Sequence, residues 1–90
     1  MAKIYKTNGD IIETEPKNGS DFSWEELNKI VDGYIETAHL SRELVMVLNE
    51  EGKIHKLPFN ELATELYRNS ISTHDYIVGD VLVCNKNQIK

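Results

Sequence analysis

Few residues in this chain have both the type and the spacing that chemistry demands. The three histidines, His39, His55 and His74, lie far apart. A zinc site draws its ligands at short, regular intervals. No Cys-x-x-Cys, His-x-x-x-His or His-Glu-x-x-His spacing occurs. A metal would need ligands gathered from distant segments, so none is expected. Cys84 is the only thiol. Beside a histidine base it would be a nucleophile. It ends the apolar run Val81-Leu82-Val83, however, where free cysteine behaves as a small buried hydrophobe. Glu25 with Glu26, and Glu50 with Glu51, are paired carboxylates. Acid–base work needs a pocket that shifts their pKa values, and a helix start and a solvated turn explain these pairs more simply. No glycine-rich phosphate cradle is present. The expectation is a protein that is not an enzyme and holds no cofactor.

The aromatic residues are better candidates for recognition. Trp24 falls at the first position of a predicted helix, at the edge of the core. There an indole either packs against the sheet or anchors a partner. Tyr67 and Tyr76 flank a polar loop and are placed to stack on a small planar ligand. With Glu25 and Asp32 they make up the candidate interaction surface: Trp24, Glu25, Asp32, Tyr67 and Tyr76.

The elements that must position these residues follow from local signals. Ninety residues make a single domain, residues 1–90. The composition, 40% hydrophobic and 28% charged, is that of a folded chain. The net charge of −5 is uneven. Between Asp10 and Glu36 stand eight acids against Lys17 and Lys29, while the rest of the chain is close to neutral. An acidic face repels nucleic-acid phosphate and suits either solvent or a basic protein surface. No run approaches the roughly 20 apolar residues of a membrane span. The N-terminal stretch reads as no signal peptide, and an unpaired thiol fits the reducing cytoplasm.

Residues 2–15 read as a hairpin turning at Asn8-Gly9, which suits a type I′ turn. Pro16 stops the second arm, and a loop runs from Lys17 to Asp21. Ser23 and Glu26 form a capping box, and Phe22 with Leu27 a hydrophobic staple. The first helix ends near Asp32 with Gly33 as its left-handed cap. Its apolar stripe is Leu27, Ile30 and Val31, with Trp24 a further candidate. Tyr34 to Leu40 is read as a strand, with a continued helix the alternative. Leu44 to Leu48 is a buried central strand. After a turn at Asn49 to Gly52, Lys53 to Leu57 reads as a short strand. Asn60 caps a second helix over Glu61 to Arg68, and residues 69–76 form a loop. Ile77-Val78, a break at Gly79-Asp80 and Val81 to Cys84 complete the pattern. Asn85 to Lys90 reads as a frayed polar tail. The fold class is α+β: a mainly antiparallel sheet of about five to six short strands with two short helices packed on it.

Four strings in order carry a resemblance: residues 30–36, residues 47–53, Leu57-Pro58-Phe59-Asn60-Glu61-Leu62 onward to Tyr67, and residues 77–83. Together they resemble a family of unknown function found in phages, plasmids and conjugative elements of bacteria. Phe59 departs from the pattern, where a small residue or a second proline is expected. The resemblance implies a mobile-element origin and no particular activity.

The first expected function is therefore a non-enzymatic accessory protein that binds a host protein. The alternative is a binder of a small nucleotide-like ligand, working as a homo-oligomer whose subunits share the pocket. A protein partner predicts an exposed apolar or acidic patch near Trp24. A ligand binder predicts Lys53, Lys56 or Arg68 turned into a cavity.

Overall fold

The computed structural model describes residues 2–89. The sheet has five strands: β1 Ala2–Tyr5, β2 Ile11–Thr14, β3 Ile35–His39, β4 Leu44–Asn49 and β5 Val81–Asn85. Helix α1, Trp24–Val31, lies between β2 and β3, and α2, Glu61–Ile71, between β4 and β5. The strand order is β2-β1-β5-β4-β3, and every neighbouring pair is antiparallel. The fold class read from the sequence is the observed one. The segment holding α1 carries the chain from one edge of the sheet to the other.

Alternation along the central strands sorts the core into two faces. Ala2, Val45, Val47, Leu82 and Cys84 gather on one face with Phe22, Leu27 and Val31, so α1 packs there. Met46, Val81 and Val83 gather on the other with Ala63, Ile77 and Leu40, so α2 covers that side. Both faces of β4 and β5 are buried, which is why these strands read as continuous apolar runs.

The α1 start is as expected. Ser23 Oγ accepts the Glu26 N–H, and the Glu26 carboxylate accepts the Ser23 and Lys17 N–H groups. Those backbone donors, Ser23 first, hold the Glu26 carboxyl below its ordinary range. The end differs. Asp32 takes the left-handed helical conformation, with φ 60°, and Gly33 follows at φ 156°. Gly33 is needed for space: a Cβ there would stand 2.7 Å from Asn49 Nδ2. That nitrogen donates to the carbonyls of Val31 and Asp32 and ties the helix end to β4.

Four further expectations are corrected. The hairpin does not use a two-residue I′ turn. Gly9 N–H bonds Lys6 C=O, Lys6 N–H bonds Asp10 C=O, and of Asn8 and Gly9 only the glycine has positive φ. This is a three-residue loop with glycine in the left-handed place. Lys53 to Leu57 is not a strand but part of a run of turns. Leu57 N–H reaches back to Gly52 C=O and Lys56 N–H to Lys53 C=O, with Lys56 at φ 54°. That pair of bonds is a Schellman closure, begun by Asn49, whose side chain accepts the Glu51 N–H. Helix α2 runs three residues beyond Arg68, to Ile71, and stops at left-handed Ser72. The tail is not frayed through residue 89. Lys86–Gln88 form a 3-10 turn, Gln88 C=O accepts the Phe22 N–H, and Ile89 packs on the α1-side core.

Asn60 holds the α2 side together. It is fully buried, accepts the Ala63 N–H and donates to the carbonyls of Tyr5 and Gly79. One side chain thus joins the helix start, β1 and the approach to β5. Among the described residues no helix is long and apolar enough to cross a membrane.

Candidate functional site

β3 is an outer strand, paired on one side only, with β4. Its residues Ile35-Glu36-Thr37-Ala38-His39 alternate between the two faces of the sheet. The register Thr37↔Val47 puts Ile35, Thr37 and His39 on the α1 face. Glu36 and Ala38 therefore lie on the α2 face, opposite Leu48 and Met46.

A groove opens on each side of this strand. On the α1 face it has a volume of about 550 Å³ and is lined by Phe22, Trp24, Leu27, Ile35 and Ile89, with Asp21 and Glu36 beside them. Helix α1 starts here because of the Ser23–Glu26 box, which leaves Trp24 at its first position. The Trp24 side chain is 65% exposed. It stands off the buried stripe of Leu27 and Val31 and forms a wall of the groove instead of packing beneath it. Ile89 closes the floor because the C-terminal 3-10 turn folds back on Phe22.

On the α2 face the groove measures about 380 Å³. Ala38 and Leu48 come from the sheet, Tyr67 and Ile71 from α2, and Ile54 and Tyr76 from the flanking turns. Its polar side is pre-formed. Lys53 Nζ lies 2.6 Å from Asp75 Oδ1 and 4.3 Å from the centre of the Tyr76 ring. Tyr76 in turn leans on Phe59, with ring centres 6.4 Å apart. Arg68 donates to the carbonyls of His74 and Asp75 and fixes the loop after α2. The Asp75 hydrogen bond raises the Lys53 pKa, and Lys53 lowers that of Asp75. Lys53 is therefore neutralised where it stands. Glu36 and Glu50 also line this groove, and neither takes part in an ion pair among the described residues. The net field around β3 is acidic.

The candidate residues do not form one patch. Trp24 lies on the α1 side of β3, and Tyr67 and Tyr76 share the groove on the α2 side. Glu25 faces a different groove, between α1 and β2, with Lys17 and Lys29. Asp32 caps the far end of α1 beside Tyr34 and His55. The residues that join the two aromatic sides, Ile35, Glu36 and Thr37, lie in a strand that the sequence indicates, but nothing in the sequence marks them as part of a site. Nothing local marks a strand as an outer one, since edge position follows from the pairing of distant segments.

Of the groups whose types suit catalysis, His39 and Glu50 line the α2-side groove, while Cys84 and Glu26 lie elsewhere. Cys84 is fully buried, and burial pushes its thiol up to about 11. A thiol so high is a poor nucleophile at neutral pH. Glu26 is engaged at the helix start. Among the described residues no group of three His, Cys, Asp or Glu side chains is placed to hold a metal ion.

Comparison with protein families places residues 4–89 in one of them. The chain belongs to the family described as domain of unknown function (DUF3846). No curated protein and no solved structure matches it.

Proposed function

We propose that this member of the DUF3846 family is a non-enzymatic binding protein that docks on another protein through the open side of β3. On this reading it is a single-domain accessory factor of a mobile genetic element, works in the cytoplasm, and has a host protein as its partner. The mobile-element part rests on the four-string sequence resemblance, and the compartment on the single unpaired thiol.

One observation carries the docking reading. Trp24, 65% exposed, stands at an apolar groove whose floor is Leu27, Ile35 and Ile89. Exposed indoles beside apolar pockets dominate the energetics of protein interfaces. Glu36, which turns to the other face of the same strand, and Glu50 beside it favour a basic partner and repel nucleic acid.

The test uses tagged protein and bacterial lysate. Wild type is expected to retain one stoichiometric protein, and Trp24→Ala to weaken that complex by about 30-fold or more. Trp24 is the only tryptophan, so a blue shift of its emission on adding the purified partner checks the contact directly. Equal retention by Trp24→Ala, or no retained protein, contradicts the reading.

The second reading is a nucleotide-like ligand bound by an oligomer. It is favoured by Lys53, Tyr67 and Tyr76 around one cavity. The Asp75 carboxylate already neutralises Lys53, and Glu36 and Glu50 oppose a phosphate. Arg68 is engaged with the loop carbonyls. A native mass spectrum separates the two readings, because a bound nucleotide adds its mass to each subunit.

A further inference from the structure

The two grooves share residues: Glu36 and Thr37 line both. They are the two sides of one strand whose outer backbone has no partner strand among the described residues. The hydrogen-bond phase of β3 is fixed by its ends. Glu50 N–H bonds Tyr34 C=O, and Leu40 N–H bonds Leu44 C=O. In an antiparallel ladder alternate residues point their backbone groups to the same side. Glu36 and Ala38 therefore face β4, and Ile35, Thr37 and His39 turn their N–H and C=O groups outward.

We propose that β3 accepts an extended, basic segment of a partner protein as a sixth strand, with its side chains alternating into the grooves on the two faces. This rests on the protein-binding reading above and names its mode. Added strands gain affinity from main-chain bonds and specificity from pockets for alternate side chains. A period of two is what a groove on each face requires. On the α1 side the pocket offers Trp24, Ile35 and Ile89 to apolar side chains. On the α2 side it offers Tyr67 and Ile71, with Glu36 and Glu50 in reach of a lysine or arginine.

Charge selects the occupant. A second copy of this chain would bring another −5 to an edge already rich in carboxylates. Glu36, near the middle of the strand, is the kind of edge charge that discourages self-pairing. A basic segment meets neither obstacle.

The experiment begins with a random peptide library displayed on phage and panned on the immobilised full-length protein. Enriched peptides are expected to alternate apolar residues with lysine or arginine. Amide hydrogen exchange is then recorded with one enriched synthetic peptide. The amides of Ile35, Thr37 and His39 are expected to become protected, while those of Glu36 and Ala38 are protected throughout. Thr37→Pro removes one outward N–H without touching the bonds to β4, a position where edge strands tolerate proline. It is expected to weaken the peptide at least about tenfold, whereas Glu13→Pro in β2 leaves binding unchanged. Glu36→Arg keeps the backbone intact, guards against a folding defect in the proline variant, and is expected to weaken the peptide similarly. Peptides that bind Thr37→Pro and Glu36→Arg as tightly as wild type, yet lose affinity in Trp24→Ala, overturn strand addition and leave the docking reading standing. A chain that dimerises with its outward amides protected assigns the edge to a second copy and overturns the proposal. A library with no enriched peptide counts against both readings.

Discussion

The sheet has two outer strands, and they are built differently. β2 ends a tight hairpin and presents Ile11 and Ile12 about half exposed, one on each face. Its Thr14 meets a groove on the α1 face, where Glu15, Glu25 and Glu26 stand opposite Lys17 and Lys29 and the field is mixed. β3 lies between grooves on both faces, each walled by a helix and a turn, in an acidic field. An unpaired edge is common to both. What distinguishes β3 is the anchored structure around it, and that anchoring comes from two buried asparagines. Asn49 fastens the end of α1 to β4, and Asn60 fastens the start of α2 to β1 and Gly79.

Breaking those anchors should give the largest effect. Asn60→Ala removes two side-chain bonds to carbonyls, the one to Gly79 buried, together with a helix cap, a loss of about 3 kcal/mol. The melting temperature is expected to fall by more than about 10 °C in a chain of this size. Asn49→Ala should cost somewhat less, about 2 kcal/mol, because the Asp32 carbonyl it serves lies at an exposed helix end. Both variants loosen the walls beside β3, so they should reduce binding there even at temperatures where the chain stays folded.

A smaller change of opposite sign sharpens the contrast. Ser72 ends α2 in the left-handed conformation, at φ 53°. Glycine adopts it without the Cβ clash, so Ser72→Gly should stabilise the protein by about 0.5–1 kcal/mol. Denaturant unfolding should show a higher midpoint with an unchanged slope. The gain falls at the α2-side wall of β3 and not at β2.

The smallest expected effect is electrostatic. The Lys53–Asp75 bridge is about half exposed at both ends, so it contributes about 0.5 kcal/mol. Asp75 titrates below its ordinary 3.8 in the folded protein, so its contribution is present above that pH and is lost as pH falls through the lowered value. Lys53 titrates above 10.5, so its contribution is lost as pH rises through the raised value. Asp75→Asn should therefore be slightly destabilising at neutral pH, and the difference from wild type should fade as the pH falls below the ordinary carboxylate range and through the lowered Asp75 value. Thermal melts of the two proteins across that range check it.

Much of this fold is written locally. The Ser23–Glu26 box, the Asn60 cap and the apolar runs of β4 and β5 are short-range signals, and each gave the element it predicts. The readings that failed share a cause. Asp32, Lys56 and Ser72 take left-handed conformations that glycine would have announced. The turn at residues 50–56 is organised by the Asn49 side chain, and the C-terminal turn by a bond to Phe22. The candidate site was legible only in its outlying members, Trp24, Tyr67 and Tyr76. β3 itself was read as a strand, but its outer position depends on β4 pairing with β5 across the whole of α2.

Amide hydrogen exchange along β3 tests the central claim most directly. In the free protein the account predicts alternation: Glu36 and Ala38 slow, Ile35, Thr37 and His39 fast. Adding an enriched basic peptide should slow the outward amides and leave those of Ile11 and Glu13 in β2 unchanged. Outward amides that exchange equally fast with the peptide bound would contradict it.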